Sequence, residues 1–578
     1  KGIAITDHES LSSFVEAEQY LAKKKEENPN DKAWQDLRFI RGNEIYLCRN
    51  GLNKDTYTKE DKFFHFILLA RDKEGYHQLC ELSSRAWNRG YKYRQMRVPT
   101  YYQDLIDVIG ENKGHLIGST ACLGSQLGTK LIATLNGEMK KEEVMNFCRA
   151  WIIRMEEILG KGNLYLEMQP GATKEPIYVN QQLVELSQEL GFKLIITTDH
   201  HYTEKEDREI HKAYLRSKNG DREVDEFYEA TYMMDANEIH ARMDKYLGAD
   251  IVSQALANTN EIRDRCEDFS LLKPLNIPYL PRAEFDQELL NDDVLPELYE
   301  KIPAAQLYLE SDSVANKQFI ARIYHFLQES DTEDAPKRYD IKEKTDRINK
   351  EIDIIWAASV KMNTDWSKYF LQVADYIWIY WNIANSLVCP SRGSAGASYV
   401  CYALGIIQID PTREEAPLIF ERFMNPDRAS VLDIDVDVCS NKRTACIEAL
   451  EKIYGKDHVT RVATFKTEKT KASILTAARS LGIDVDTARY ISSLIGAERG
   501  IQYTLHQTYY GDEENGLKPN QAFIQEMKNY PDLWKIAQKI EGLVNGIGCH
   551  AGGVVITEEP ITDSCGIMKT SSGDMVTA

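Results

Sequence analysis

The sequence has few of the features that define several common protein classes. Its eleven cysteines include no C-x-x-C pair and are odd in number, which argues against a disulfide framework or zinc ribbon and for reduced thiols in a cytoplasmic setting. The longest apolar stretch, Tyr369 to Val388, is broken by Gln372, Asp375, Asn382 and Asn385, so the roughly 20 uninterrupted apolar residues of a membrane span are missing and no membrane partner is expected. The Gly-x-x-x-x-Gly-Lys spacing of a Walker loop is absent, as are internal repeats and low-complexity segments. No initiator Met and no signal-like region precede the first strand-like residues, so the chain reads as a fragment beginning inside a domain. Positive charge is in deficit: the net charge is −20, which taken globally counts against a nucleic-acid partner.

What is present is an ordinary globular composition, 43% hydrophobic and 28% charged over 578 residues, enough for roughly three to five domains. From Lys1 to about residue 205, β-branched runs (GIAIT, FHFILLA, HLIGST, NLYLEM, KLIITTDHH) alternate with amphipathic helical stretches near Leu11–Lys25 and Lys141–Leu159. Such alternation predicts βα units, with ligands at the strand C-terminal ends. The turn-rich stretch KPLNIPYLPRAEF closes this domain near residue 280. Beyond a charged helical region, the sequence predicts a helix near Lys368–Ala384, a short strand at Ser386–Val388, and a Gly-rich segment opening a helix at Tyr399–Leu404. A helix near Leu418, a turn at Asn425-Pro426, a strand containing DIDVDV, a helix at Asn441–Tyr454 and the strand VTRVATF follow. Helices then fill 466 to about 540, ahead of GCHAGGVVIT and a hairpin-like tail.

Three segments carry chemistry. In Asp433-Ile434-Asp435-Val436-Asp437 the strand period puts three carboxylates on one face, neighbours roughly 6.5 to 7 Å apart. At an effective dielectric near 20, each neighbouring pair then repels by about 2 to 2.5 kcal/mol. Divalent cations offset that repulsion and suit oxygen ligands and phosphoryl transfer; a solvent-facing acidic edge strand is the competing reading. Ser391-Arg392-Gly393-Ser394-Ala395-Gly396 leads into a helix, where backbone N–H groups and the helix N-terminus favour phosphate, although a plain capping turn has the same composition. Arg461, Lys466, Lys469, Lys471 and Arg479 face only Glu468, a local excess of four positive charges. This is a candidate DNA contact or simply a solvated helix face.

Taken together, SRGSAGASYVCYALGI, FERFMNPDRASVLDIDVDVC, VATF and GCHAGGVVIT resemble the catalytic core of bacterial replicative DNA polymerase III alpha subunits, the C family. The resemblance runs through the whole chain. It implies an α/β and α+β multidomain protein: a distorted α/β barrel, the polymerase-and-histidinol-phosphatase (PHP) domain, over 1–280; a nucleotidyltransferase-type mixed-sheet palm over 281–465 and 541–578; and a helical thumb over 466–540. By that resemblance Asp435 and Asp437 are the catalytic carboxylates, holding two Mg²⁺ ions. Arg392, Gly393, Ser394 and Lys471 take the incoming dNTP, and Arg461, Lys466, Lys469, Arg479 and His550 contact primer-template DNA. The implied reaction is attack of a primer 3′-hydroxyl on the α-phosphate with pyrophosphate leaving. In the PHP domain His8, Glu44, His65, Cys122, Asp199 and His201 match a metal cluster suited to Zn²⁺ or Mn²⁺, and so to phosphoester hydrolysis or 3′–5′ exonuclease activity.

The resemblance has gaps. The family's opening H-x-H and a following acid would lie before Lys1, and the third catalytic carboxylate, the fingers and the clamp-binding segment after Ala578. An incomplete PHP site and a fragment inactive alone are therefore expected, with sliding clamp and other replisome partners met through other regions. Leu432, Lys466 and Cys549 stand where the family has proline, glycine and lysine. A rival reading makes the chain a catalytically silent DNA-binding scaffold.

Overall fold

The computed structural model describes all residues except 1, 53–55, 59–60, 90–96, 220–225, 274–275, 281–289, 414–416 and 426–432. The expected turn at Pro426, part of the KPLNIPYLPRAEF boundary and Leu432 lie outside the described residues. The chain divides into two compact units: Lys1–Leu271 with Arg461–Ala551 and Thr562–Ala578, and Leu272–Thr460 with Gly552–Ile561.

The first unit is built on a seven-stranded sheet. Its strands are β1 (Gly2–Ile5), β2 (Arg38–Cys48), β3 (Phe64–Ala70), β4 (Thr100–Tyr101), β5 (Leu116–Ser119), β6 (Leu164–Met168) and β7 (Leu194–Ile196), ordered β1-β2-β3-β5-β6-β7 with β4 beside β2. The predicted strands are all there, but the sheet is mixed. β3 runs antiparallel to both β2 and β5, while β1/β2, β5/β6 and β6/β7 are parallel. The sequence reading passed over β2, the longest of these strands. Its burial is nearly continuous, so RFIRGNEIYLC shows no polar–apolar alternation, as expected for a strand covered on both faces.

β2 and β3 meet at Gly42, where a Cβ would lie 2.6 Å from a Leu69 methyl, 2.7 Å from Thr6 Cγ2 and 2.9 Å from the Leu68 carbonyl oxygen. Only glycine lets the backbones approach this closely. The helices Thr470–Ser480, Val485–Ser493, Gln521–Asn529 and Pro531–Ile540 enclose a separate core around Ile474, Ile491, Phe523 and Leu533, which Ile210 and Ala213 of the helix Arg208–Asn219 complete. Further on are a two-residue hairpin, β9 (Ala497–Glu498) with β10 (Ile501–Gln502), and a four-stranded mixed sheet. The latter comprises β8 (Val459–Thr467), β11 (Val544–Ile556), β12 (Ile567–Lys569) and β13 (Met575–Thr577), ordered β11-β8-β13-β12. The expected terminal hairpin is β12–β13, paired antiparallel.

The second unit is largely helical. Val314–Leu327, Lys342–Met362 and Trp366–Asn382 pack around Phe319, Ile352, Trp366 and Phe370, all fully or almost fully buried. Two predicted strands are not strands. Ser386–Val388 and Asp433–Val438 make one isolated antiparallel bridge, Val388 to Val438, flanked by hydrogen bonds from Cys389 N–H to the Asp437 carbonyl (2.9 Å) and from Cys439 N–H to the Leu387 carbonyl (3.3 Å). A ladder needs more pairing than a run this acidic supplies. The expected helix near Leu418 is a single 3₁₀ turn, Phe420–Arg422. Among the described residues no helix is long and apolar enough to cross a membrane.

The glycine contact gives a direct test of the first unit. Gly42→Ala should separate β2 from β3 and lower stability by about 1 to 3 kcal/mol, read from urea denaturation at constant m-value; an unchanged midpoint would show that the strands have room to spare.

Candidate functional site

In the second unit the acidic segment keeps its two-residue alternation without a ladder. Ile434 is buried and Val436 and Val438 pack partly buried on the same core, while Asp433, Asp435 and Asp437 are exposed. The Ile434 N–H donates to the Tyr369 hydroxyl at 2.9 Å, tying the segment to the helix Trp366–Asn382. The Gly-rich segment forms a 3₁₀ turn, Gly393–Ala397, ahead of the short helix Tyr399–Ala403. Gly393 has φ +60°, and a Cβ placed on it would lie 3.6 Å from Asp435 Oδ2. Arg392 Nε stands 3.5 Å from Asp437 Oδ2, both side chains more than half exposed. The structure therefore brings Arg392, Gly393, Asp435 and Asp437 together, with Ser394 exposed on the same turn. Both carboxylates are exposed, and such oxygen donors fit hard divalent cations.

One expectation here is corrected. The N-terminus of the helix Tyr399–Ala403 is not open to phosphate: the buried carboxylate of Glu351 accepts hydrogen bonds from the N–H groups of Tyr399 (2.8 Å) and Val400 (2.9 Å) and from Ser398 Oγ (2.9 Å). Sequence reasoning missed Glu351 and Tyr369. The only signal for Glu351 was Arg347 four residues earlier on the same helix, an ordinary i,i+4 pair; Tyr369 left none.

The basic residues belong to the first unit and do not form one helix face. Arg461 and Lys466 are on β8, Lys469 precedes the helix Thr470–Ser480, and Lys471 and Arg479 lie on that helix or its last turn. Arg461 is engaged by Asp574 at 2.6 Å. Lys466 lies along Gly548 of β11, which also carries an exposed His550.

Within the first unit, His8 follows β1 and bridges in parallel to Glu44 on β2, and β3 brings His65, which pairs with Tyr46 in the register, onto the face that Glu44 shares. His8, Glu44 and His65 each offer a ligand atom within 4.8 Å of the others. Glu44 lies 3.7 Å from His8 Nδ1 and pairs with His65 Nδ1, and Cys122 Sγ lies 3.4 Å from the same His65 nitrogen. Asp199 is in a left-handed conformation (φ +44°) and its backbone carbonyl accepts a hydrogen bond from His201 Nδ1 at 2.7 Å, and both side chains interact electrostatically with Glu44. All six candidate ligands thus share one neighbourhood. Burial pushes the Asp199 carboxyl up to about 6, with the Glu44 charge adding to it. Burial opposes ionisation of Glu44 too, but the His65 hydrogen bond and the charges of His8, His65 and His201 outweigh it and hold its pKa below the ordinary value. Burial, then Asp199 and Glu44, lift the Cys122 thiol well above the usual range. Mixed imidazole, thiol and carboxylate donors fit Zn²⁺ or Mn²⁺. Two buried acids here were missed: Glu9 and Glu167, the latter held by Ser119 and Thr197. Neither stands in a motif that marks it as buried.

Residues 1–171 match the model of the PHP domain, and residues 320–578 match that of the "Bacterial DNA polymerase III alpha NTPase domain". Along its whole length the chain is 36% identical to the "Probable DNA polymerase YorL" of Bacillus subtilis strain 168, covering 44% of that protein, and equally to a "DNA-directed DNA polymerase" of Bacillus phage SPbeta. It is 28% identical to the "DNA polymerase III subunit alpha" of Aquifex aeolicus, of which it covers 47%. The chain thus spans just under half the length of these relatives.

Glu9 yields a pH prediction. Its carboxylate, 1% exposed, accepts from Thr100 Oγ1 (2.6 Å) and Tyr46 N–H (3.0 Å), and burial pushes its pKa up to about 7. The folded state therefore holds this proton more tightly than the unfolded chain, so its contribution to stability falls as pH rises from about 4.5 to about 7. In metal-free protein, Glu9→Gln should remove that loss and gain up to about 3 kcal/mol over wild type between pH 5 and pH 8. Denaturation curves at the two pH values check it; a gain that does not depend on pH would contradict it.

Proposed function

Because the chain belongs to the family of bacterial DNA polymerase III alpha subunits, we propose that it carries the nucleotidyl-transfer site of a template-directed DNA polymerase. The observation that supports this most is the placement of Asp435 beside Gly393 and of Asp437 beside Arg392. In this reading Asp435 and Asp437 would hold two Mg²⁺ ions, which would supply charge stabilisation for phosphoryl transfer. The residues of the chain bind and orient. The Arg392–Ser394 turn is exposed and free to direct backbone N–H groups and a guanidinium at the triphosphate of a dNTP, and such positioning and electrostatics carry most of the catalysis in phosphoryl transfer. Lys471 assists with the nucleotide, and Lys466, Lys469, Arg479 and His550 with primer-template DNA. Arg461 is the weakest member of that set, since Asp574 already neutralises it. The domain limits proposed remain 1–280 for PHP, 281–465 with 541–578 for the palm and 466–540 for the thumb. A sliding clamp and other replisome components are the proposed protein partners.

A second reading concerns the PHP site, where the close grouping of His8, Glu44 and His65 beside Cys122 supports metal-dependent phosphoester hydrolysis, as a 3′–5′ exonuclease or a phosphatase. Release of nucleotide from 3′-labelled single-stranded DNA with Zn²⁺ or Mn²⁺, lost in Glu44→Gln, is its expected result. No release by the wild-type polymerase would leave the domain a structural support.

For the polymerase site, Asp435→Ala and Asp437→Ala in the full-length protein should each lower nucleotide incorporation by roughly a thousandfold or more while thermal unfolding stays as in wild type. Primer extension at the wild-type rate by either variant refutes the assignment.

A further inference from the structure

A buried ion pair holds the residues that follow the Arg392–Ser394 turn. Glu351 and Arg347 lie one turn apart on the helix Lys342–Met362, and Glu351 is 0% exposed. Besides its three acceptor bonds to Ser398, Tyr399 and Val400, Glu351 receives Arg347 Nε at 2.5 Å. The same guanidinium donates to the Ala397 carbonyl at 2.6 Å and to the Leu418 carbonyl at 2.9 Å. Four consecutive residues, Ala397 to Val400, are thereby fixed to one helix. Directly before them Gly396 is packed so tightly on Ser391 that a Cβ on it would lie 2.5 Å from the Ser391 Oγ. Only Arg392, Gly393 and Ser394 of this segment stay exposed.

Resting on the nucleotide-binding reading, we propose that Glu351, with Arg347, is the positioning residue that sets the Arg392–Ser394 turn against Asp435 for the triphosphate. A buried carboxylate that occupies a helix N-terminus also denies that terminus to phosphate, so the ligand is directed to the exposed turn. Glu351 touches neither substrate nor metal in this account; it acts through the backbone of Ala397 to Val400. The acidic segment is held separately, by Tyr369 and by the Val388–Val438 bridge. Loss of Glu351 should therefore displace the turn while leaving the carboxylates in place, a separation that general destabilisation would not produce.

Glu351→Gln keeps the side-chain shape but turns an amide donor toward N–H or hydroxyl donors. Arg347→Lys keeps the charge but cannot span the Glu351 carboxylate and two carbonyls. The probe is dATP with Mg²⁺ titrated into the chain by calorimetry, alongside Mn²⁺ titrated by electron paramagnetic resonance, counting only the signal that Asp435→Asn removes. The expected result for Glu351→Gln is a dATP affinity weaker by about tenfold or more, and for Arg347→Lys by about threefold or more, with Mn²⁺ affinity within about twofold of wild type in both. If Glu351→Gln does not unfold cooperatively, Arg347→Lys decides. Wild-type dATP affinity in the folded variants, or Mn²⁺ and dATP affinities falling together, overturns the role of Glu351. Failure of the wild-type chain to bind dATP at all overturns the nucleotide reading and this proposal with it, a result distinct from the other two.

Discussion

The constraint on which the catalytic reading depends is the burial of alternate aliphatic side chains between charged ones. Ile434, Val436 and Val438 are drawn onto the core of the second unit, which forces Asp433, Asp435 and Asp437 to the solvent side of an extended segment. Burial of Ile434, with Val436 and Val438 partly buried beside it, fixes which way the segment faces, at about 1.5 to 3 kcal/mol for an aliphatic side chain fully buried. No strand ladder helps: one bridge, two flanking hydrogen bonds and the Tyr369 hydroxyl fix the backbone. A segment held by so few backbone contacts is defined chiefly by its side-chain packing. The residues after the neighbouring turn are pinned by Arg347 and Glu351, so the acidic segment and the turn are held by different residues.

The two candidate metal centres differ in a way that follows from their donors. The acidic segment offers exposed oxygen atoms beside a cationic side chain, an arrangement that accommodates hydrated hard cations and leaves room for phosphate. The PHP cluster offers imidazole, thiol and carboxylate groups held between β1, β2, β3 and the loops after β5 and β7, where burial raises Cys122 and Asp199 and a dense set of histidines compensates Glu44. Each centre is assembled within a single compact unit.

Much of this was legible in the sequence because the signals were local. The helix at Lys141–Leu159 has the predicted limits, since its apolar period is strong and a glycine follows it. The runs FHFILLA, NLYLEM and VTRVATF are strands, and the terminal hairpin is present. The candidate ligands His8, Glu44, His65, Cys122, Asp199 and His201 were named through family motifs, and the family resemblance agrees with the matches to both domain models. What failed were features set by distant parts of the chain. β2 carried no alternation because both its faces are covered. The antiparallel placement of β3 leaves no trace in its own residues. DIDVDV alternates like a strand, yet its neighbour supplies one bridge. The free helix N-terminus expected after Gly396 is filled by Glu351, more than forty residues earlier in the chain, and Arg461, read as a free cation, meets Asp574 across the sheet.

The most direct measurement is anomalous diffraction from crystals of the chain soaked with Mn²⁺ and a non-hydrolysable dNTP analogue. The account predicts manganese peaks coordinated by Asp435 and Asp437, with the triphosphate lying along Arg392, Gly393 and Ser394. Peaks confined to His8, Glu44 and His65, with the acidic segment bare and the analogue elsewhere, would contradict it.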